Sequence, residues 1–169
     1  ALFRVGGETV SQLSSNRDRS ASMRNLERVA QALNAYAADF GTYPPSATQD
    51  NSGKKMHSWR VLILPYLGED ELYNEFDLTV PWDSPRNLRA AAAMPSCYRH
   101  PKQGSTVAYN GPAYFMIVGP ATVQPATGPL SPTQIGDDHS QTILVIEGSP
   151  IVPSGMWSEP VDLDVTKMR

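Results

Sequence analysis

The sequence predicts an α+β fold, because helical and strand patterns occupy different parts of the chain. An apolar stripe with spacings of three and four residues runs through residues 20–40, and a continuous β-branched run occupies residues 141–147. Most of the fifteen prolines follow residue 80, and twelve glycines are spread along the chain. This composition predicts short elements joined by long, Pro-rich loops in the second half of the chain.

The first predicted element is a helix that ends at Gly41, a residue typical of the helix C-terminus. Pro44 and Pro45 prevent the helix from continuing. The helix face predicted to pack on the sheet containing residues 142–147 is formed by Leu26, Val29, Leu33, Ala37 and Phe40.

Three short helices are predicted next. The apolar run 57–67 fits a helix better than a central strand, because Pro65 cannot donate a ladder hydrogen bond. Residues 69–76 form the second helix. Residues 84–93 form the third, with Ser84 as the N-cap and Pro85 at the first helical position.

Strands are predicted at residues 105–109, 113–118 and 141–147. Asn110 and Gly111 separate the first two strands, and this dipeptide between two apolar runs indicates a β-hairpin.

The chain length of 169 residues fits one domain, placed at residues 20–169. Residues 1–19 form a polar arm that could extend the helix. No run of about eighteen apolar residues is present, so no membrane span is expected in this chain. The net charge is −3, which argues against nucleic-acid binding. The densest basic group indicates a solvated helix face, and it consists of Arg17, Arg19, Arg24 and Arg28, interrupted by Asp18 and Glu27.

Motifs of catalysis, metal binding and phosphate binding are missing from the sequence. It contains no HExxH, no Gly-x-Ser-x-Gly and no Gly-rich loop that opens a helix. The three histidines lie far apart, and Cys97 is the single cysteine. The acid-rich segment 136–140 is interpreted as a polar turn and not as a Ca²⁺ loop. We therefore expect no enzyme activity, no cofactor and no metal.

A weak polar and aromatic cluster is the one candidate site, with either a binding or a structural role: Arg60, Trp82, Asp83, Glu147 and Trp157. The aromatic residues could stack on a sugar ring, but core packing is the preferred interpretation. A guanidinium inside the apolar run 58–67 requires a partner, so we expect Arg60 to be buried in an ion pair. Asp83 is the first candidate for that partner and Glu147 the second.

An ordered set of short stretches resembles the bacterial prepilin-like family known as domain of unknown function 1559, which is also classed as a solute-binding family. The principal matching stretches are Arg24-Asn25-Leu26, Phe40-Gly41-Thr42-Tyr43-Pro44-Pro45, Ser58 to Leu67, Pro81-Trp82-Asp83-Ser84-Pro85, Tyr98-Arg99, Thr142 to Glu147 and Met156-Trp157-Ser158-Glu159-Pro160.

The resemblance implies a pilin-like fold, with a long N-terminal helix on an antiparallel sheet. It also implies a structural or interaction module of a pseudopilus, or of a related type II secretion-like assembly, in the periplasm or on the cell surface. Its partners would be like subunits or other pilin-type proteins. The alternative is an extracytoplasmic module that binds a small solute or a glycan. Family members usually carry an apolar N-terminal helix, whereas residues 1–19 of this chain are polar.

Overall fold

The computed structural model describes residues 2–103, 110–136, 142–148 and 155–167, with side chains from residue 16 onward. It confirms the α+β fold: one long N-terminal helix lies against small β-sheets, with short helices and loops around them. The predicted strand at residues 105–109, and with it the test of the predicted hairpin, lies outside the described residues. Most of the acid-rich turn at 136–140 does so too.

Helix α1 spans Leu2–Phe40 and buries one face from Ser22 onward. Its buried apolar residues are Val29, Ala32, Leu33 and Ala37. The predicted stripe was wrong at Phe40, which is 64% exposed. Phe40 stands in the last turn, and the chain turns away at Gly41, where φ is 79°. The centroid of its ring lies 4.4 Å from that of the Tyr36 ring, one turn earlier on the same helix.

In the described part of the chain, five strands form two sheets. Strands β1 (Ala47–Gln49) and β2 (Lys55–Ser58) make an antiparallel pair. The second sheet has the order β4-β3-β5, with β3 at Tyr114–Val118, β4 at Val145–Glu147 and β5 at Leu163–Asp164.

Strand β3 pairs antiparallel with β4 but parallel with β5, so the sheet is mixed, whereas the family resemblance implied an antiparallel one. The strand predicted at 141–147 is shorter than expected, because residues 142–144 leave the sheet. Thr142 and Leu144 instead line a groove of about 200 Å³ beside α1.

The short helices follow the local signals. Helix α2 covers Trp59–Leu62, and a 3₁₀ turn at Pro65–Leu67 completes the segment predicted as a single helix. Pro65 lacks the N–H that a continuing helix needs, which separates the two pieces. Helix α3 spans Asp70–Glu75, and α4 spans Pro85–Ala90.

Helix α4 has the predicted cap, since the Ser84 side chain accepts a hydrogen bond from Asn87 N. Within the described ranges, no helix combines the length and the apolar character needed to cross a bilayer.

The core is centred on aromatic side chains contributed by distant segments. The Tyr98 ring lies 6.2 Å from the Trp59 ring and 5.5 Å from the Trp157 ring, and Phe76 lies 5.9 Å from Trp157. Such tilted and edge-on contacts suit the ring quadrupoles. The cluster joins α2, the 3₁₀ turn at Ser96–Tyr98 and the C-terminal segment.

Asn87 is fully buried and holds the turn between α3 and α4. Its Oδ1 accepts a hydrogen bond from Asp77 N at 2.8 Å. Its Nδ2 donates to three carbonyl oxygens, at 3.0 Å on Asp77, 3.3 Å on Val80 and 2.9 Å on Pro81. The amide thus serves as both donor and acceptor for the backbone of this loop.

We predict that Asn87→Asp lowers the free energy of unfolding by about 1–3 kcal/mol. The reason is that a buried carboxylate oxygen would replace the amide donor that faces three carbonyl oxygens. Urea unfolding of the purified protein measures the change. The matched control is Asn74→Asp, the same substitution at an exposed position of α3. Equal stability of the two variants would contradict the role assigned to Asn87.

Candidate functional site

Arg60, the centre of the predicted cluster, is fully buried and paired with Asp162. Its Nη2 lies 3.1 Å from Asp162 Oδ1 and donates to Tyr114 O at 2.8 Å. Its Nε also donates to Tyr114 O, at 3.1 Å, and its Nη1 donates to Ser58 Oγ at 2.9 Å. The expected burial and ion pair are therefore present, but the predicted partners Asp83 and Glu147 were wrong.

The same Asp162 oxygen also accepts hydrogen bonds from Trp59 Nε1 at 3.1 Å and from Met116 N at 2.9 Å. Burial raises the pKa of Asp162 and lowers the pKa of Arg60, and the attraction between the two groups opposes both shifts. The pair joins α2, β3 and the segment before β5, and both side chains are shielded from solvent. Its role is therefore structural.

The five predicted site residues are not brought together. Trp157 is fully buried, and its Nε1 donates to Ala91 O at 2.8 Å, so its ring is not available to stack on a sugar. Trp82 is half-buried, and its backbone N donates to Met56 O. Asp83 is exposed. Glu147 belongs to a separate group of polar residues.

That second group, here called the polar seam, consists of Ser22 on α1, Tyr114 on β3, Glu147 on β4 and His100. Ser22 Oγ donates a hydrogen bond to Glu147 Oε2 and lies 3.0 Å from Tyr114 Oη. His100 Nε2 lies 2.6 Å from Glu147 Oε1. The seam fastens the long helix to the sheet at the point where the buried face of the helix begins.

The hydrogen bond from Lys102 N to His100 Nδ1, 3.0 Å long, identifies the tautomer of this imidazole. Because Nδ1 accepts, the proton of the neutral ring lies on Nε2 and is donated to Glu147. Glu147 thus accepts from a serine hydroxyl on one oxygen and from an imidazole on the other.

The order of these groups argues against activation of Ser22 as a nucleophile. A serine nucleophile needs the imidazole next to its hydroxyl and the carboxylate behind the imidazole. Here the carboxylate lies between Ser22 and His100, so the imidazole cannot take the hydroxyl proton. The arrangement orients side chains and presents charge.

A surface cleft of about 370 Å³ opens over the polar seam. Its walls carry side chains of both charge signs, and they include Asp18, Arg19, Met23, Leu26, His100, Lys102 and Glu147. Such a cleft could hold a small polar or zwitterionic solute, and Met23 adds an exposed apolar contact.

Metal ligands do not gather in the described part of the chain, where no three His, Cys, Asp or Glu side chains lie close enough to hold an ion. Cys97 is buried, and desolvation raises the pKa of its thiol to about 11. Its thiolate is therefore scarce at neutral pH, which makes this cysteine inert.

Sequence reasoning did not single out Asp162 and Ser22. For Asp162 a signal was available, since this carboxylate lies between Val161 and Leu163 just as Arg60 lies between Trp59 and Val61. A charge flanked by apolar residues at both places indicates a buried pair. Ser22 has no comparable signal, because an isolated serine on a helix is usually solvated.

Comparison with known proteins identifies a family relationship. A family model described as "Protein of unknown function (DUF1559)", which is also labelled a solute-binding family, matches residues 17–158. No curated protein and no solved structure matches the chain.

Proposed function

The chain belongs to the DUF1559 family, and from this premise we propose that it is a non-enzymatic structural or interaction module of a pseudopilus or a similar assembly. The assembly lies in the periplasm or on the cell surface. Its other members are like subunits or other pilin-type proteins.

The length of α1 relative to the domain carries this proposal. The helix has 39 residues, but residues 16–21 contain no buried side chain, and Ser22 is the first buried residue among those whose side chains the structure describes. At a rise of about 1.5 Å per residue, residues 2–21 extend about 30 Å from that point. The described side chains at residues 16–21 are thus free of the core and offer a surface for other subunits.

The absence of enzyme activity is supported by the chemistry of the polar groups described above. The Arg60–Asp162 pair is enclosed in the core, and the polar seam places a carboxylate where a catalytic triad needs an imidazole. Both sets of residues have a structural task that explains their presence.

A small-solute module is the second candidate, favoured by the cleft over the polar seam and by the solute-binding label of the family. The charges of both signs in the cleft suit a zwitterion better than a glycan. Binding of a glycan around Trp82 and Trp157 receives no support, because Trp157 is enclosed by the core.

We predict that a cysteine on α1, placed before the first buried residue Ser22, cross-links neighbouring subunits in cells that make the full-length protein. Asn16→Cys places a thiol at an exposed position of the helix. Mild oxidation should then produce dimers and a ladder of larger species on a non-reducing gel. The native Cys97 does not interfere, because its thiol is buried and largely protonated.

The control is Asn51→Cys, which places an exposed thiol in the turn between β1 and β2, away from the helix. This variant should remain monomeric on the gel. It also reports the compartment, since a membrane-impermeant maleimide should label it once the outer membrane is opened. A monomeric Asn16→Cys protein, or labelling only after the inner membrane is lysed, would contradict the proposal.

A further inference from the structure

Three arginines form a stripe on the exposed side of α1. Arg24 and Arg28 follow Arg17 at seven and eleven residues, and 3.6 residues per turn place all three within about 40° around the helix axis. Each of them is exposed, and the centre of the stripe lies about 140° around the helix axis from the face that carries Val29 and Leu33. Along the axis the arginine stripe covers about 16 Å.

Within the described part of the chain, the arginine stripe makes no ion pair. Among the residues whose side chains the structure describes, no carboxylate lies within 4.0 Å of any of the three guanidinium groups. Glu27 is three residues from Arg24, yet the two side chains make no ion pair at that distance. Three neighbouring guanidinium groups without a carboxylate produce a local positive potential on a protein whose net charge is −3.

A surface of opposite charge lies on and around α3. Residues 69–83 contain six carboxylates and no lysine or arginine. Helix α3 packs through Leu72, and Phe76 follows it into the core. This anchoring leaves three carboxylates of α3 exposed, and they define the acidic surface: Asp70, Glu71 and Glu75.

The arginine stripe and the acidic surface lie at different heights along α1. The 3₁₀ turn before α3 packs on the C-terminal end of the helix: the Tyr66 ring lies 5.9 Å from that of Tyr36, and its hydroxyl donates to Asp39 at 2.7 Å. The arginine stripe, in contrast, ends at Arg28. A second copy displaced along the helix axis can therefore bring its acidic surface next to the stripe.

We propose that the arginine stripe on α1 docks against the acidic surface on α3 of a second copy of this chain. The contact joins two different surfaces, so it leaves one of each free at the ends of a pair and adds copies head to tail instead of closing. This partner assignment rests on the proposed function and specifies which surfaces the subunits use. Exposed charge pairs contribute mainly orientation and are weakened by salt.

Charge reversal in the Asn16→Cys background tests the contact. One variant carries Arg17→Glu, Arg24→Glu and Arg28→Glu, and the other carries Asp70→Lys, Glu71→Lys and Glu75→Lys. Each variant alone should lose the cross-linked ladder, because like charges then face each other. Cells that make both variants should regain it, because each reversed surface then meets its complement.

The matched control reverses three exposed lysines elsewhere, with Lys54→Glu, Lys55→Glu and Lys167→Glu, and should keep the ladder. Circular dichroism melts of the purified variants check that each one folds. Return of the cross-linked ladder in cells that make both variants is independent evidence that both fold.

The outcomes separate this contact from the proposed function. A ladder that persists in both reversed variants overturns the contact and leaves assembly intact, whereas no ladder in the Asn16→Cys protein itself overturns both. Loss of binding to phosphatidylglycerol vesicles on reversal of the stripe, with an unchanged ladder, would assign the stripe to a membrane surface instead.

Discussion

Replacing Arg60 with alanine should lower the free energy of unfolding by about 3–5 kcal/mol, because Asp162 would remain buried without its charge partner. The substitution also removes the donors for Tyr114 O and Ser58 Oγ. Buried acceptors without donors add to the loss. Thermal and urea unfolding of the purified domain measure the effect.

Arg60→Lys should destabilise the domain as well, though less than alanine. A lysine has one ammonium group, whereas the guanidinium reaches Tyr114, Asp162 and Ser58 from three nitrogens. The control is Asp83→Ala, which changes an exposed carboxylate and should leave the melting temperature unchanged. If both Arg60 variants melted like the native protein, the structural role of this residue would be refuted.

Replacing both charged residues together distinguishes two effects on stability. One is the cost of leaving a single charge buried without a partner, and the other is the net contribution of the ion pair to the free energy of unfolding. A variant with Arg60→Met and Asp162→Leu removes both charges together, and apolar pairs of similar volume are often no less stable than buried ion pairs. We expect this double variant to be more stable than Arg60→Ala. A double variant as unstable as the sum of the single ones would indicate two independent roles.

The second large effect is expected for Leu33→Asp, which should unfold the domain. Leu33 is fully buried on the face of α1 that packs against the core. Loss of a buried leucine side chain costs about 2–5 kcal/mol, and an unpaired buried carboxylate costs several more. The total is comparable with the whole stability of a typical domain, about 5–15 kcal/mol.

Two aspartate substitutions on the same helix serve as controls. Ala35→Asp, at an exposed position, tests the effect of aspartate on the helix itself and should cost less than about 1 kcal/mol. Phe40→Asp should also be tolerated, because Phe40 is 64% exposed even though it lies on the apolar stripe. A folded Leu33→Asp protein with native far-ultraviolet circular dichroism would show that the helix is not part of the core.

Local patterns predicted the elements that depend on neighbours a few residues away. Ser84 and Pro85 predicted the start of α4, and the cap is present because a hydroxyl at that position meets the N–H three residues on. The apolar run at 113–118 predicted β3, and the spacing of Val29, Leu33 and Ala37 predicted the buried face of α1. In each case the signal and its cause lie within one or two turns of chain.

Other features depended on where the fold ends and could not be predicted from period alone. Phe40 continues the spacing of the stripe, but its side chain is exposed, because the helix ends there and the chain turns away at Gly41. Likewise, of the described residues 142–147 in the predicted strand, only Val145–Glu147 pair in the sheet. The spacing of apolar residues indicates which side chains can face a core. How far the core extends depends on how the other helices and strands pack.

The sequence by itself predicted that Arg60 is buried with a partner, because it is the one charged residue in an otherwise apolar run. It also determined the α+β class and the family. Only the tertiary structure decided that the partner is Asp162, 102 residues away in the chain, and that Ser22, Tyr114, Glu147 and His100 form one polar seam. The residues around a buried arginine do not identify its partner, because any carboxylate within reach could form the ion pair. The fold alone determines which carboxylate lies next to it.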